Sequence, residues 1–234
     1  MMEVNSIDEQ IEDTKKELEE MLAYPDDKLI GIIKEVGFEC DLCGRCCTKE
    51  FNDHVFLLDK DTEFIKSIDP DLITPAPYYE FCDQNGRFYV SGYALRTKED
   101  GNCVMLEDKR CTIYDRRLTI CRLYPYMLHR EKDEEGNLDW RQISGLNEHG
   151  CYHSEISDDE AERIAADTKA YEEAYLRQQI RFFRKVREHF KKNGLRHVKS
   201  VYDRKMRAFE KGEEIEVYVF YKDDLELSRI SRDD

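Results

Sequence analysis

The sequence has no stretch near the roughly 18 consecutive apolar residues that a membrane-spanning helix needs, and its mean hydropathy is −0.77. The acidic start Met1-Met2-Glu3-Val4-Asn5 is unlike a secretory signal, which opens on basic residues and an apolar run. The familiar catalytic signatures are missing too: there is no G-x-G-x-x-G, no G-x-x-x-x-G-K, no nucleophile elbow and no H-E-x-x-H. No segment repeats and none is of low complexity. These absences argue against dinucleotide binding, P-loop phosphate chemistry and the common hydrolase mechanisms. A cytoplasmic chain is expected. At 234 residues it is expected to be one domain of ordinary size with an extension.

Charge is plentiful but uneven. The net charge is −15, yet residues 176–211 carry thirteen Lys or Arg against three Asp or Glu. The remainder is therefore strongly acidic and would repel a phosphate backbone, so nucleic acid is not the expected partner. The basic stretch is instead expected to meet a protein partner or a second copy of the chain.

Cysteine is what the chain has in excess. Nine are present, an odd number, and without export they read as metal ligands rather than disulfides. Four fall in the run Cys40-Asp41-Leu42-Cys43-Gly44-Arg45-Cys46-Cys47. Thiolates at this spacing can turn back on one centre, and Gly44 supplies the backbone freedom that so tight a loop needs. Cys40, Cys43 and Cys46 have the spacing of the first three ligands of a bacterial ferredoxin loop, without its local fourth ligand and proline. Successive side chains of an extended chain point to opposite faces, so Cys46 and Cys47 are expected to serve different sites or a larger cluster. Further along, Cys103 and Cys111 bracket two short apolar runs around a charged turn, where a hairpin would bring them together at its open end.

With these residues in view the chain resembles the YkgJ-like cysteine-cluster family, described as zinc- or iron-chelating. The resemblance covers about half the chain, from Gly37 to His153. It rests on Phe38 before the cysteine run, Gly101-Asn102-Cys103-Val104, Cys111-Thr112-Ile113-Tyr114-Asp115-Arg116-Arg117, Cys121-Arg122-Leu123-Tyr124-Pro125 and the late Cys151. Leu118 stands where the family tends to have proline. What the resemblance implies is a metal held by Cys40, Cys43, Cys46, Cys47, Cys103, Cys111, Cys121 and Cys151, with Cys82 outside the pattern as a core thiol. Some relatives of the cluster resemble flagellin lysine methylases, but this chain is short for that architecture and offers no position for a methyl donor.

Structural zinc usually takes two separated C-x-x-C pairs. One overlapping triple followed by isolated cysteines better suits an iron–sulfur cluster, with Cys121 or Cys151 as the fourth ligand. His153 and His54 lie close enough in sequence to replace a thiolate, although a lone histidine is more often at the surface. Arg122, beside Cys121, is placed either to donate to a sulfur or to pair with a carboxylate.

The predicted fold is α+β, a small cysteine-rich core of short strands and hairpins around a metal site, flanked by N-terminal helices and a long C-terminal helix. Capping boxes at Ser6-Ile7-Asp8-Glu9 and Ser157-Asp158-Asp159-Glu160 open the first and longest helices. Shorter helices are expected over 28–36, 59–68 and 196–211. Asn85-Gly86 should turn a hairpin between 78–83 and 87–96, a second hairpin should turn near 133–137, and a strand over 215–221 should precede a charged tail. By sequence character the chain divides into a helical segment 1–36, a metal-binding domain 37–156 and a basic helical extension 157–234. The expected function is that of a cytosolic metal-binding protein carrying an iron–sulfur cluster, for electron transfer, cluster handling or support of a modification enzyme. The alternative is a zinc-stabilised interaction module without catalysis.

Overall fold

The computed structural model describes residues 6–126, 131–132, 138–139 and 149–231. The fold is α+β, and no helix among the described residues is long and apolar enough to cross a membrane. Contacts divide the chain into two compact units. One gathers Met1–Lys15, Phe56–Arg96 and Leu176–Asp234, the other Lys16–Val55 and Thr97–Tyr175. We call them the sheet unit and the cysteine unit. Each is discontinuous in sequence, so this division by contacts differs in kind from the three consecutive segments read from sequence character.

Helix α1 (Ile7–Ala23) opens with the expected box: the Ser6 N–H donates to Glu9 Oε2 at 2.6 Å and the Glu9 N–H to Ser6 Oγ at 3.2 Å. Pro25 separates it from α2 (Asp26–Val36), which buries Leu29, Ile32, Ile33 and Val36 at helical spacing. In the sheet unit, α3 (Asp59–Ile68) follows strand β1 (Val55–Leu57). Strand β2 (Ile73–Pro75) follows. The Asn85-Gly86 hairpin forms between β3 (Phe81–Cys82) and β4 (Phe88–Val90). Asp83 fastens its turn, accepting from the N–H groups of Asn85 and Arg87 and from the Tyr89 hydroxyl.

Two expectations need correction here. Residues 87–96 are not one strand, because the chain breaks at Ser91-Gly92 and continues as β5 (Tyr93–Leu95) in a second sheet of order β1-β5-β2. A Cβ at Gly92 would lie 2.8 Å from Phe56 Cζ, a separation that real Cβ atoms do not show, so the bend needs glycine. The supposed charged tail is strand β11 (Asp224–Ile230). It pairs antiparallel with β10 (Ile215–Tyr221) across Lys222-Asp223, both at positive φ. Strand β10 also runs parallel to β4, giving the order β11-β10-β4-β3.

The 36-residue helix α5 (Asp158–Asn193) contributes its residues through Tyr175 to the cysteine unit and those from Leu176 to the sheet unit. A helix of this length runs over ~50 Å, and buried side chains occur along it from Ala161 to Phe190. Its later half supplies Phe182, Phe183, Val186 and Phe190 to an aromatic core with Phe81, Tyr89 and Phe220. Helix α6 (Lys199–Phe209) packs beside the β3–β4 hairpin, where the Val198 N–H donates to the Cys82 carbonyl. In the cysteine unit the hairpin β6 (Leu106–Glu107) to β7 (Arg110–Cys111) turns on Asp108 and Lys109, both at positive φ, and α4 (Thr119–Leu123) follows. Strands β8 (Glu131–Lys132) and β9 (Leu138–Asp139) pair, while the turn expected near 133–137 lies outside the described residues.

The sheet unit holds one misfit polar group. Glu80 keeps some surface as a residue, but its carboxyl does not: Oε2 is buried with no hydrogen-bond partner among the described residues. Burial outweighs the Ser91 hydrogen bond and pushes this carboxyl up to about 8. Between its ordinary value and 8 the folded chain holds a proton that the unfolded chain has released, so stability falls as pH rises through this window. Glu80→Gln should therefore gain on the wild type between pH 5 and 8, by roughly 2–5 kcal/mol at the alkaline end. Urea midpoints across that range would reject the assignment if the two proteins kept a constant difference.

Candidate metal centre

Helix α2 ends at Gly37, whose φ of 52° leads the chain into an antiparallel ribbon with residues 151–154. In it the Glu39 and Cys151 peptides exchange hydrogen bonds of 2.8 and 2.9 Å, while Ser154 and His153 donate to the Gly37 and Val36 carbonyls. Approach is so close that a Cβ on Gly37 would sit 2.3 Å from the Ser154 carbonyl oxygen. The ribbon carries the late Cys151 back to the residue before Cys40.

The loop then tightens on itself. Leu42 and Gly44 have φ of 61° and 74°, and the Cys43 N–H donates to Asp41 Oδ1 at 3.1 Å. A single 3-10 turn, Arg45–Cys47, is held by the Cys47 N–H on the Gly44 carbonyl and capped when Asn52 Nδ2 donates to the Cys46 carbonyl. The next crossing is to the second cysteine group. The Cys103 N–H donates to the Cys47 carbonyl at 2.7 Å, and Thr48 bridges Asn102. A Cβ on Gly44 would meet the Lys109 carbonyl at 3.0 Å, so the β6–β7 turn lies against this loop. Cys111 sits opposite Leu106 in that hairpin, three residues after Cys103.

The thiols act on one another. The Cys46 thiol is pushed well up by its hydrogen bond to Cys47, then by burial and the charge of Cys47, with Arg117 opposing. Cys103 is raised by burial, with smaller contributions from Cys111 and Cys46. Cys43 is raised by burial and by the Asp41 carboxylate. Tyr114 is raised by burial and by a hydrogen bond to Cys40. Arg117 stacks its guanidinium 3.9 Å from the Tyr114 ring centre, and its Nε–H donates to the Tyr114 carbonyl. Cys43, Cys46, Cys47, Cys103 and Cys111 are thus linked by backbone bonds or thiol electrostatics, and Cys40 reaches Tyr114. Cys151 joins them by its ribbon, and Cys121 is half-buried on α4.

Among the described residues no three Cys, His, Asp or Glu side chains close on one point as a finished coordination sphere would. The donor chemistry nevertheless fits a thiophilic metal, since the penalty on Cys43, Cys46 and Cys103 is lost when a cation neutralises their thiolates. All eight patterned cysteines belong to the cysteine unit. Cys82 alone lies in the sheet unit, fully buried with its thiol 3.6 Å from the Asp83 carbonyl oxygen.

The histidines named from sequence have other partners. His54 Nδ1 lies 3.1 Å from Asp53 Oδ2, and His153 Nδ1 lies 3.2 Å from the Glu35 carbonyl. Arg122 is exposed, and the guanidinium that acts on the Cys46 thiol is that of Arg117. Sequence reading also missed His149. It is buried in an aromatic box, with ring centres 4.5 Å from Phe51, 5.3 Å from Tyr124 and 6.4 Å from Phe38, and its charge reaches Asp41. Its only sequence signal is its position before Gly150, where a Cβ would strike the Phe38 ring at 2.4 Å. Tyr126 completes the frame, accepting from the Phe38 N–H and donating to the Ile33 carbonyl.

Residues 39–143, a little under half of the chain, match a family model named CxxCxxCC and described as a putative zinc- or iron-chelating domain. Cys151 lies just beyond the matched residues. No curated protein matches the chain, and no solved structure does. The match supports metal binding by this segment and leaves the choice between zinc and iron open.

Two outcomes follow. Cys43→Ser or Cys121→Ser should lose metal and become protease-sensitive within 16–55 and 97–175, because structural metal binding contributes about 10–16 kcal/mol in zinc-finger peptides. Cys82→Ser should keep its metal and its resistance, losing only packing. Retention of both metal and resistance by Cys43→Ser would remove the loop from the ligand set. Arg117→Gln should keep its metal but release it to a chelator about 10-fold faster, the usual effect of losing a group that supports ligands. An unchanged release rate would reduce Arg117 to a packing residue.

Proposed function

We propose that this metal-chelating domain carries an iron–sulfur cluster and serves electron transfer, cluster handling or support of a modification enzyme. The observation that carries the reading is the segregation of thiols: every cysteine of the pattern is in one unit, and the one outside it is in the other. Cys40, Cys43 and Cys46 are the local ligands in this reading. The Glu39–Cys151 ribbon supports Cys151 as the fourth, because it brings that residue's backbone next to Cys40. Cys47, Cys103, Cys111 and Cys121 would form a second set, supported by the bond between the Cys103 and Cys47 peptides. A cluster would supply reversible one-electron chemistry, while the chain's own residues hold the thiolates and balance their charge through Arg117.

One observation favours a second reading. The β6–β7 hairpin, with Cys103 before it and Cys111 at its end, has the economy of a structural zinc knuckle, and eight thiolates suffice for two zinc ions. In that case the metal only folds the unit, and the protein is an interaction module.

Anaerobic purification with iron, sulfide and zinc analysis separates the readings. Iron with matching sulfide, and visible absorbance that bleaches reversibly with dithionite, is the expected result. Two equivalents of zinc with no visible absorbance would overturn the cluster and leave the interaction module. A protein that binds neither metal would overturn both.

A further inference from the structure

The basic stretch divides in two when its ion pairs are traced. Along the middle of α5's later half the sheet unit delivers carboxylates to the cations: Arg181 to Asp59 and Asp223, Lys185 to Asp224, and Arg187 to Asp8. Beyond that point Lys199 pairs with Asp203 at 3.6 Å within α6 itself. Lys191, Lys192, Arg196, Arg204, Arg207 and Lys211 are all exposed, and none has a carboxylate within 4.0 Å among the described residues.

They are gathered on one surface by the packing already described. Gln84 ties the end of α5 to the hairpin, donating to the Gly194 carbonyl and accepting from the Arg196 N–H. Helix α6 is seated beside it by Tyr202, whose ring meets Phe88 and His197 at 5.2 and 6.2 Å. No residue of α6 is fully buried. Arg204 and Arg207, three residues apart on α6, share one exposed face, and Lys211 follows in the turn just beyond the helix end.

We propose that this cationic face binds the acidic cysteine unit of a second copy of the chain. The complementarity is in the sequence. The formal charges of the cysteine unit sum to about −13, against about −2 for the sheet unit that bears the cationic face. A nucleic acid meeting the same face would have to approach a chain of net charge −15, a cost that a second copy does not meet in the same form because its opposite-signed surfaces can be paired. The contact joins unlike surfaces, so it is heterologous, and each copy offers both halves.

Sedimentation velocity on the full-length protein, purified anaerobically with the metal it carries, tests this. The expected result is a mass above 27.9 kDa in about 50 mM salt that falls to the monomer in about 500 mM, since exposed charges are screened. The triple variant Arg204→Glu, Arg207→Glu, Lys211→Glu should be monomeric throughout, with helix content unchanged by circular dichroism. Mixed with wild type it should still be captured, because its acidic unit is intact. A wild type that is monomeric at low salt, or a variant that associates as before, overturns the proposal. So does tight binding of a labelled single-stranded oligonucleotide or of phosphatidylserine vesicles that the triple variant loses while the wild type remains monomeric.

Discussion

Thiolates repel one another, and eight cysteines confined to one unit set the terms for the structure around them. Cys46 is the sharpest case, where the neighbouring Cys47 raises the cost of ionising it. The backbone responds by fixing the thiol-bearing segments through main-chain bonds, which are indifferent to the charge on sulfur. The ribbon at Glu39–Cys151, the Cys103–Cys47 bond and the Thr48–Asn102 bridge all do this. Glycines occur where these segments pass too closely for a side chain, at Gly37, Gly44 and Gly150. The loop is positioned by its backbone, and its side chains remain available to a ligand.

The sheet unit is held by different physics. Aromatic rings from α5, β3, β4 and β10 bury one another, with Phe182 6.0 Å from Phe220 and Tyr89 stacked 5.2 Å from Tyr218. Apolar burial of this kind contributes roughly 1.5–3 kcal/mol per large side chain, needs no cation and tolerates no charge. This explains why Cys82 shares a unit with Phe81 and Phe88 and none with the other thiols. Buried in a strand, it behaves as a small apolar residue whose thiol burial pushes up to about 12.

Local signals were the legible part of the fold. Both capping boxes, the Asn85-Gly86 turn, α3 and β10 follow from a few adjacent residues, and the structure places them where those residues do. What was illegible is non-local. Nothing in residues 215–221 announces a parallel partner at 88–90, and nothing in Lys222-Asp223 announces a hairpin, because that turn reaches positive φ without glycine or asparagine. The discontinuous units have the same cause, since they are defined by pairings across more than a hundred residues. At the site, cysteine spacing named a candidate set but not its grouping. Arg117 and His149 escaped because their significance lies in what they stack on, which sequence spacing does not encode.

Arg117 also shows how the acidic unit can hold thiolates at all. A guanidinium paired with a carboxylate would bring no net charge to Cys46, because its partner would cancel it. Stacked on Tyr114 at 3.9 Å and tied to the Tyr114 carbonyl, it is held in position by groups that carry no charge of their own. Among the described residues no carboxylate lies within ion-pair distance of it, so no adjacent negative charge cancels its field at the sulfur. The aromatic ring here acts as a mount for a cation. It orients positive charge toward the one loop of an otherwise acidic unit where negative charge must accumulate.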